Sequence, residues 1–114
     1  LVRSRGLGDV YKRQVETPVV TGNTSRRMGT PSGVNYVYLK QTDRILRGEG
    51  YASHVNFWMP VKGNIGIHDA SWRSKYGGTI YQTNGSHGCI NTPYNAMVQI
   101  YEMVEVGTPV VMYY

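Results

Sequence analysis

The chain has 114 residues, a length that suits one domain, and 40% of them are hydrophobic, which is enough to form a core. The net charge is +5, but residues 1–14 contribute +3, so the remainder is only mildly basic. It has no Lys/Arg stripe, and a nucleic acid is therefore not an expected partner. No apolar run approaches the ~18 residues of a membrane-spanning helix, and no signal peptide is recognisable.

The first half of the chain alternates extended stretches with turns. Residues 1–14 match neither strand nor helix patterning, so we expect an atypical N-terminal segment, a fragment or assembly scar, before a domain at 15–114. Residues 15–20 predict a strand, and 24–33 a polar loop broken by glycine and proline. Residues 34–40 are β-branched and aromatic and predict a second strand.

The middle of the chain begins with a polar stretch at 42–50 that closes on Gly-Glu-Gly. Pro60 indicates a sheet edge or a strand end in the strand that follows. The elements predicted here are a strand at 55–61, a turn at 62–64, a short strand at 65–68, a loop or single turn at 71–78 and a short strand at 79–82.

One helix is clear near the C-terminus. Thr92 is a candidate N-cap and Pro93 suits the first helical position, where its missing N–H costs nothing. Apolar side chains then recur at helical spacing: Ala96, Met97, Ile100, Tyr101 and Val104. Gly107 ends the helix, and residues 109–114 predict a last strand. The fold class expected is mainly β, with one helix packed on a sheet.

The chemistry concentrates around the only cysteine. Cys89 lies in Ser86-His87-Gly88-Cys89-Ile90-Asn91, and His68 follows an apolar stretch upstream. A thiol at neutral pH is mostly protonated, so a nucleophilic cysteine needs a base, and histidine suits that role. His68, on another segment, is the first candidate base, and His87 is the second. Gly88 permits a positive φ, which would direct the N–H groups of residues 87–89 at a developing oxyanion.

Two other interpretations compete with a nucleophilic cysteine. His68 alone is more often a structural histidine. His54, His68, His87 and Cys89 are also zinc-ligand types, but their spacing matches no standard zinc pattern, so we expect no metal and no cofactor.

The spaced histidine and the cysteine block resemble the signature of L,D-transpeptidases, the YkuD-type catalytic domain of Gram-positive bacteria. The resemblance covers residues 15–114 and includes the stretches IGIHDASWR, YGGTIY, NGSHGCINTP and VGTPVV. It departs from the family upstream, where residues 1–14 replace the one or two strands that normally open the domain. It implies a β-sandwich-like fold with one helix after the cysteine turn.

The resemblance also implies a mechanism. Cys89, deprotonated by His68, attacks a tetrapeptide stem of peptidoglycan, D-Ala leaves, and the thioester passes to the side-chain amine of an acceptor stem as a 3→3 cross-link. Hydrolysis of the same bonds, as an L,D-carboxypeptidase or endopeptidase, is one alternative, and a non-catalytic wall-binding module is another. A carbapenem adduct on the thiol, a monomer and a place in the cell wall, on the exterior face of the membrane, are further expectations.

The remaining site residues take their roles from the same resemblance. Asp69 orients His68 through its backbone carbonyl, or else caps the following turn. Ser86 and Asn91 brace the cysteine turn, although Ser86 also suits a plain turn. His87 lines the cleft or tunes the thiolate, with a structural role as the alternative. Three further residues are candidates for contact with substrate, with core or surface roles as their alternatives: Trp72, Tyr76 and Arg73. The core-or-cleft ambiguity extends to Tyr51, Trp58 and Met59.

Overall fold

A computed structural model describes residues 2–4, 13–48 and 50–113. The strands of this part are β1 Val2–Ser4, β2 Arg13–Val15, β3 Gly33–Tyr36, β4 Gln41–Gly48, β5 Tyr51–Lys62, β6 Ile65–Asp69, β7 Ile90–Thr92 and β8 Pro109–Met112. The helices are α1 Ile80–Thr83 and α2 Tyr94–Met103, and Thr24–Arg26 forms a 3-10 turn. The expectation of a mainly β fold is confirmed.

The central sheet has four strands in the order β4-β5-β6-β7. β4, β5 and β6 are antiparallel neighbours, whereas β6 and β7 are parallel. The chain from β6 to β7 must therefore cross over, and it does so through residues 70–89, which contain α1 and the cysteine turn. This crossover brings two distant segments, 65–69 and 90–92, side by side.

The core lies between one face of this sheet and α2. Met97 and Ile100 of α2 are buried against Met59 and Ile67, which oppose each other in β5 and β6. Successive side chains of a strand point to opposite faces of the sheet. The residues next to Met59 and Ile67 in β5 and β6 therefore point away from the helix. The opposite face is thus available for a site.

Two small sheets complete the described fold. β3 and β8 form an antiparallel pair. Val37, which follows β3, and Met112, which ends β8, are buried in the core. β1 pairs with β2, so part of residues 1–14 is extended, contrary to the prediction that this segment matches no strand. The rest of that segment, residues 1 and 5–12, lies outside the described residues. No helix in the described ranges is long and apolar enough to cross a bilayer.

Several predicted strand bounds are confirmed and several are wrong. The strand predicted at 65–68 is β6, that at 55–61 lies within β5, and the last strand is β8. Pro60 lies near the end of β5, where the register with β6 shifts, as a proline in a strand requires. The strand at 15–20 is wrong beyond Val15, although Val20 forms an isolated bridge with Asn91. The strand at 34–40 ends at Tyr36.

The polar stretch at 42–50 contains an unpredicted strand, because most of β4 is exposed on both faces and shows no alternation. The strand predicted at 79–82 is wrong, since Ile80–Thr83 forms one helical turn, too short for its period to be read. Thr92 does not cap α2. It ends β7, and Pro93 takes the N-cap position without a side-chain bond.

Candidate active site

The parallel pairing of β6 and β7 brings the chemistry-bearing residues together. His68 is in register with Asn91, and Cys89 stands two residues before Asn91. Residues two apart in an extended chain share a face, so the side chains of residues 68, 89 and 91 point to the same side of the sheet. Ile67 and Ile90, in register on the other side, contact the core.

These residues line a cleft of about 180 Å³. Its floor is the face of β6 and β7 that lies opposite α2, and one wall comes from the hairpin of β4 and β5. Its lining residues are Leu46, Tyr51, Ser53, His68, Trp72, Arg73, Gly85, Ser86, His87, Cys89 and Asn91. The sequence motif and the cleft therefore coincide.

His68 is buried with a defined ring orientation. Its Nδ1 lies 2.6 Å from the backbone oxygen of Asp69, and because a carbonyl only accepts, Nδ1 carries the proton and Nε2 the lone pair. The indole rings of Trp58 and Trp72 flank the imidazole, each with its centroid at 5.8 Å. Burial lowers the pKa of His68 from its ordinary 6.5, against the raising effect of the Asp69 carbonyl and carboxylate. The ring is therefore neutral at pH 7, with its basic nitrogen in the cleft.

The amide of Asn91 lies between His68 and Arg73. In the orientation that satisfies its neighbours, Asn91 Nδ2 donates to His68 Nε2 at 3.2 Å. Its Oδ1 then accepts from Arg73 Nε at 2.8 Å and Nη2 at 3.3 Å. Arg73 Nη1 donates to the backbone oxygen of Asn84 at 2.8 Å. The sequence had predicted that Asn91 braces the cysteine turn. Its side chain instead contacts the histidine.

The thiol of Cys89 is half-buried at the edge of the cleft. Its Sγ–H donates to the backbone oxygen of Asn64, at 3.3 Å, in the turn between β5 and β6. Burial raises the pKa of the thiol from its ordinary 9.0, and the backbone N–H of Gly66 opposes that shift. The resting site therefore pairs a neutral thiol with a neutral imidazole.

The cysteine turn is held from two sides. Ser86 Oγ donates to the backbone oxygen of Cys89 and accepts from the N–H of Gly88 at 3.1 Å. Thr30 Oγ1 donates to the backbone oxygen of Gly88 at 2.6 Å. Gly88 has φ +125°, a conformation that favours glycine, as predicted.

This arrangement changes the predicted oxyanion donors. The N–H of Gly88 is already bonded to Ser86, so it does not face the cleft as a free donor. Within the described ranges, no acceptor contacts the N–H of His87 or Cys89. The donors available for an oxyanion are therefore these two of the three predicted.

Asp69 acts structurally through its carboxylate as well as through its carbonyl. The carboxylate is buried and accepts from the backbone N–H of Asn56 at 2.9 Å and of Phe57 at 2.8 Å, and from Asn56 Nδ2 at 3.0 Å. The alternative that Asp69 caps the following turn is therefore wrong. Its carboxylate links the end of β6 to β5.

The predicted aromatic residues separate into cleft and core. Tyr51 and Trp72 line the cleft, and Tyr51 stacks on His87 with ring centroids 4.6 Å apart. Tyr76 does not line it, because its hydroxyl donates to the backbone oxygen of Ala70 at 2.6 Å. Burial raises the pKa of Tyr76, so it remains a neutral donor there.

The two remaining residues of this group belong to the sheet. Met59 is fully buried in the core, and Trp58 is nearly so, beneath the histidine.

The residues weighed as zinc ligands do not converge. His54 Nε2 lies 2.6 Å from Oδ1 of Asp43 on the exposed β4–β5 hairpin and is absent from the cleft lining. Among the described residues, no three His, Cys, Asp or Glu side chains group closely enough to hold a metal ion.

Besides Gly85, which lines the cleft next to the cysteine motif, four contributors to the site were missed from the sequence. Leu46 and Ser53 line the cleft from the β4–β5 hairpin, Thr30 holds Gly88, and Asn64 accepts the thiol hydrogen bond. None of the four has a local signal, because they reach the site only through tertiary contacts.

Comparison with known proteins supports the same assignment. The sequence model of the YkuD family, described as the L,D-transpeptidase catalytic domain, matches residues 7–112. The chain belongs to the L,D-transpeptidase catalytic domain family. This match begins upstream of residue 15, where the sequence had placed the start of the domain. No curated protein sequence gave a significant match.

Solved structures of L,D-transpeptidases superpose well on this domain. The crystal structure of an Enterococcus faecium L,D-transpeptidase mutant is 45% identical, with a TM-score of 0.80 over 87% of this chain and 41% of that one. The catalytic domain of the E. faecium enzyme acylated by ertapenem, determined by NMR, is 44% identical, with a TM-score of 0.76 over 93% and 84%. An L,D-transpeptidase from Mycobacterium tuberculosis is 25% identical, with a TM-score of 0.75 over 86% and 42%.

This L,D-transpeptidase domain spans about two fifths of two solved structures, 41% of the E. faecium mutant chain and 39% of the chain of an avibactam carbamoyl enzyme that is 46% identical to it.

Proposed function

We propose that this L,D-transpeptidase domain is a cysteine acyltransferase that joins peptidoglycan stem peptides through 3→3 cross-links. The donor is a tetrapeptide stem and the acceptor is the side-chain amine of a diamino acid in a second stem. One observation carries the proposal: neighbouring parallel strands direct the cysteine thiol and a neutral histidine with an unprotonated Nε2 toward one open cleft.

The first step activates the nucleophile. The resting thiol donates to Asn64 and must turn away from that carbonyl before its proton reaches Nε2 of His68. Because the pKa of Cys89 is raised and that of His68 is lowered, transfer in the empty site is unfavourable. The proton therefore moves as the sulfur attacks the substrate carbonyl, when the developing S–C bond removes the charge that burial penalises.

The tetrahedral intermediate is stabilised at the cysteine turn. Its oxyanion accepts from the N–H groups of His87 and Cys89, which the turn leaves available. The C–N bond to D-Ala then breaks, and the imidazolium of His68 returns its proton to the leaving amine. A thioester remains on Cys89, and the neutral imidazole is ready to deprotonate the incoming acceptor amine.

Two further features of the proposal concern inhibitors and place of action. Solved relatives include an ertapenem-acylated catalytic domain from E. faecium and an avibactam carbamoyl enzyme. We expect this chain likewise to form a covalent adduct with a carbapenem at Cys89, its only thiol. Because peptidoglycan lies outside the cytoplasmic membrane, the domain would act on the exterior face of that membrane.

The test is a product assay with purified protein. Disaccharide-tetrapeptide is supplied alone and with an acceptor muropeptide, and the products are separated and weighed by mass spectrometry. Transpeptidation releases D-Ala and yields a cross-linked dimer, whereas hydrolysis yields a tripeptide without a dimer. Cys89→Ala is the matched control and should form neither product. Tripeptide alone, even with acceptor in excess, would replace the proposal with an L,D-carboxypeptidase.

A further inference from the structure

The amide of Asn91 occupies a buried position between two groups of fixed polarity. Only 2% of Asn91 is exposed. On one side lies Nε2 of His68, 3.2 Å from the amide, and on the other lie Nε and Nη2 of Arg73, at 2.8 and 3.3 Å. An amide has a donor end and an acceptor end. Its orientation therefore determines to which partner it donates a hydrogen bond and from which partner it accepts one.

Arg73 allows only one orientation. A guanidinium donates and never accepts, so the amide oxygen must face Arg73. The amide NH₂ then faces His68, where it needs an acceptor. The Nε2 lone pair meets that need, since Nδ1 donates its proton to the Asp69 carbonyl. If Nε2 were protonated, its N–H would point at another donor.

We propose that Arg73 is a positioning residue that fixes the Asn91 amide so that Nε2 of His68 stays unprotonated in the resting site. The inference deepens the proposed function, because His68 is the base of that reaction. It replaces the expectation that Arg73 binds a stem carboxylate. The guanidinium is already committed, with Nε and Nη2 on Asn91 and Nη1 on the Asn84 carbonyl.

The groups that face His68 come from several elements. Asp69 follows it on β6, with its carboxylate bonded to the backbone of β5. Cys89 precedes β7, and Tyr51 and His87 stack across the cleft. Among the described residues, the hydrogen bonds of Arg73 go to Ala70, Asn84 and Asn91 and to none of these four groups. A change in the protonation of His68 on such a substitution would therefore be transmitted through the Asn91 amide or through the loss of the guanidinium charge.

Removing Arg73 should make His68 more basic. In Arg73→Met the amide is free to rotate, and its oxygen can accept a hydrogen bond from Nε2–H, which stabilises the imidazolium. We expect the pKa of His68 to rise by about one unit, the size of shift that one nearby charge or hydrogen bond produces. The acid limb of the acylation rate should move with it, giving about tenfold slower acylation below the new pKa.

The experiment is a pH titration of the ring nitrogens by ¹⁵N NMR of the full chain, with carbapenem acylation rates measured over the same range. Arg73→Met and Asn91→Asp are the test variants. An aspartate has no donor end, so oxygen must face Nε2, and it leaves the bond between Arg73 and Asn84 in place. Arg44→Met, at an exposed position of β4, is the matched control. Arg73→Lys keeps a charge but removes the planar donor fork.

The expected result is a raised pKa of His68 in Arg73→Met, a larger rise in Asn91→Asp, and no change in Arg44→Met. In Arg73→Lys the pKa of His68 should shift toward its value in Arg73→Met. If His68 titrated in Arg73→Lys as it does in wild type, the effect would be due to charge alone and the orienting role would be overturned. An unchanged titration in Asn91→Asp would overturn the proposal even if Arg73→Met failed to fold. The titration needs no muropeptide, so its outcome is separate from failure of the product assay.

Discussion

The carboxylate of Asp69 is predicted to stabilise the fold while its backbone carbonyl serves the histidine. Asp69→Ala removes the acceptor of the backbone N–H groups of Asn56 and Phe57, in hydrogen bonds that are part-buried. An unsatisfied buried donor costs about 1–3 kcal/mol, and since water partly reaches these two, the total loss should be about 1–3 kcal/mol. Small domains have about 5–15 kcal/mol of stability in total, so this loss is a large fraction of it.

The assay is urea denaturation followed by circular dichroism, with Glu102→Ala as the control. Glu102 is exposed on α2, and removal of its carboxylate should change the free energy of unfolding by less than about 0.5 kcal/mol. Where Asp69→Ala remains folded, it should still be acylated by a carbapenem within about tenfold of wild type, because the peptide oxygen that holds His68 is retained. A loss of stability no larger than that of Glu102→Ala would refute the structural role. Abolished acylation in folded protein would show that the carboxylate acts directly on the histidine.

Three further predictions concern the thiol, the imidazole and the cysteine turn. Because burial raises the pKa of Cys89 from 9.0, the rate of its alkylation by iodoacetamide should still be increasing with pH at pH 9. A rate that is constant between pH 6 and 8 would contradict a neutral resting thiol. Because burial lowers the pKa of His68 from 6.5, the unfolded state takes up a proton first on acidification. As the pH is lowered from 6.5, the free energy of unfolding should then decrease by up to about 1.4 kcal/mol per pH unit. In His68→Gln this dependence on pH should be shallower, and an equal dependence in both proteins would remove His68 as the cause. Thr30→Val loses the bond to the Gly88 oxygen and the acceptor of the Gly22 N–H, so it should cost about 1–3 kcal/mol in urea denaturation and slow acylation of the thiol. Unchanged stability and rate would show that the Thr30 hydroxyl does not hold the turn.

The elements that were predictable carry their signal within a few residues. β6 follows a glycine turn and is apolar, and α2 presents Met97 and Ile100 at helical spacing, so both were found. β4 was missed because most of it faces water on both sides, and α1 because one turn shows no period. Local patterning reports burial, and these elements have little of it.

The candidate site divides in the same way. The residue types around Cys89 and the spacing to His68 indicated a nucleophile and a base, and parallel pairing of β6 and β7 places them on one face. The supporting contacts could not be predicted. The Asp69 carboxylate accepts hydrogen bonds from residues that lie 12 and 13 positions away in the sequence. The Thr30 hydroxyl donates to Gly88, which is 58 positions away. Such contacts depend on sheet topology, which the sequence of one segment does not contain.

Mass spectrometry of the intact protein, during brief exposure to disaccharide-tetrapeptide with no other acceptor added, detects whether Cys89 forms the acyl intermediate. We predict a covalent acyl adduct that has lost D-Ala, maps to Cys89 after proteolysis and is absent from Cys89→Ala. In His68→Gln the adduct should form at least about a hundredfold more slowly, because general base catalysis contributes about 10²–10⁴-fold. Adduct formation at an equal rate in His68→Gln, or a turnover product formed without any adduct on Cys89, would contradict this prediction.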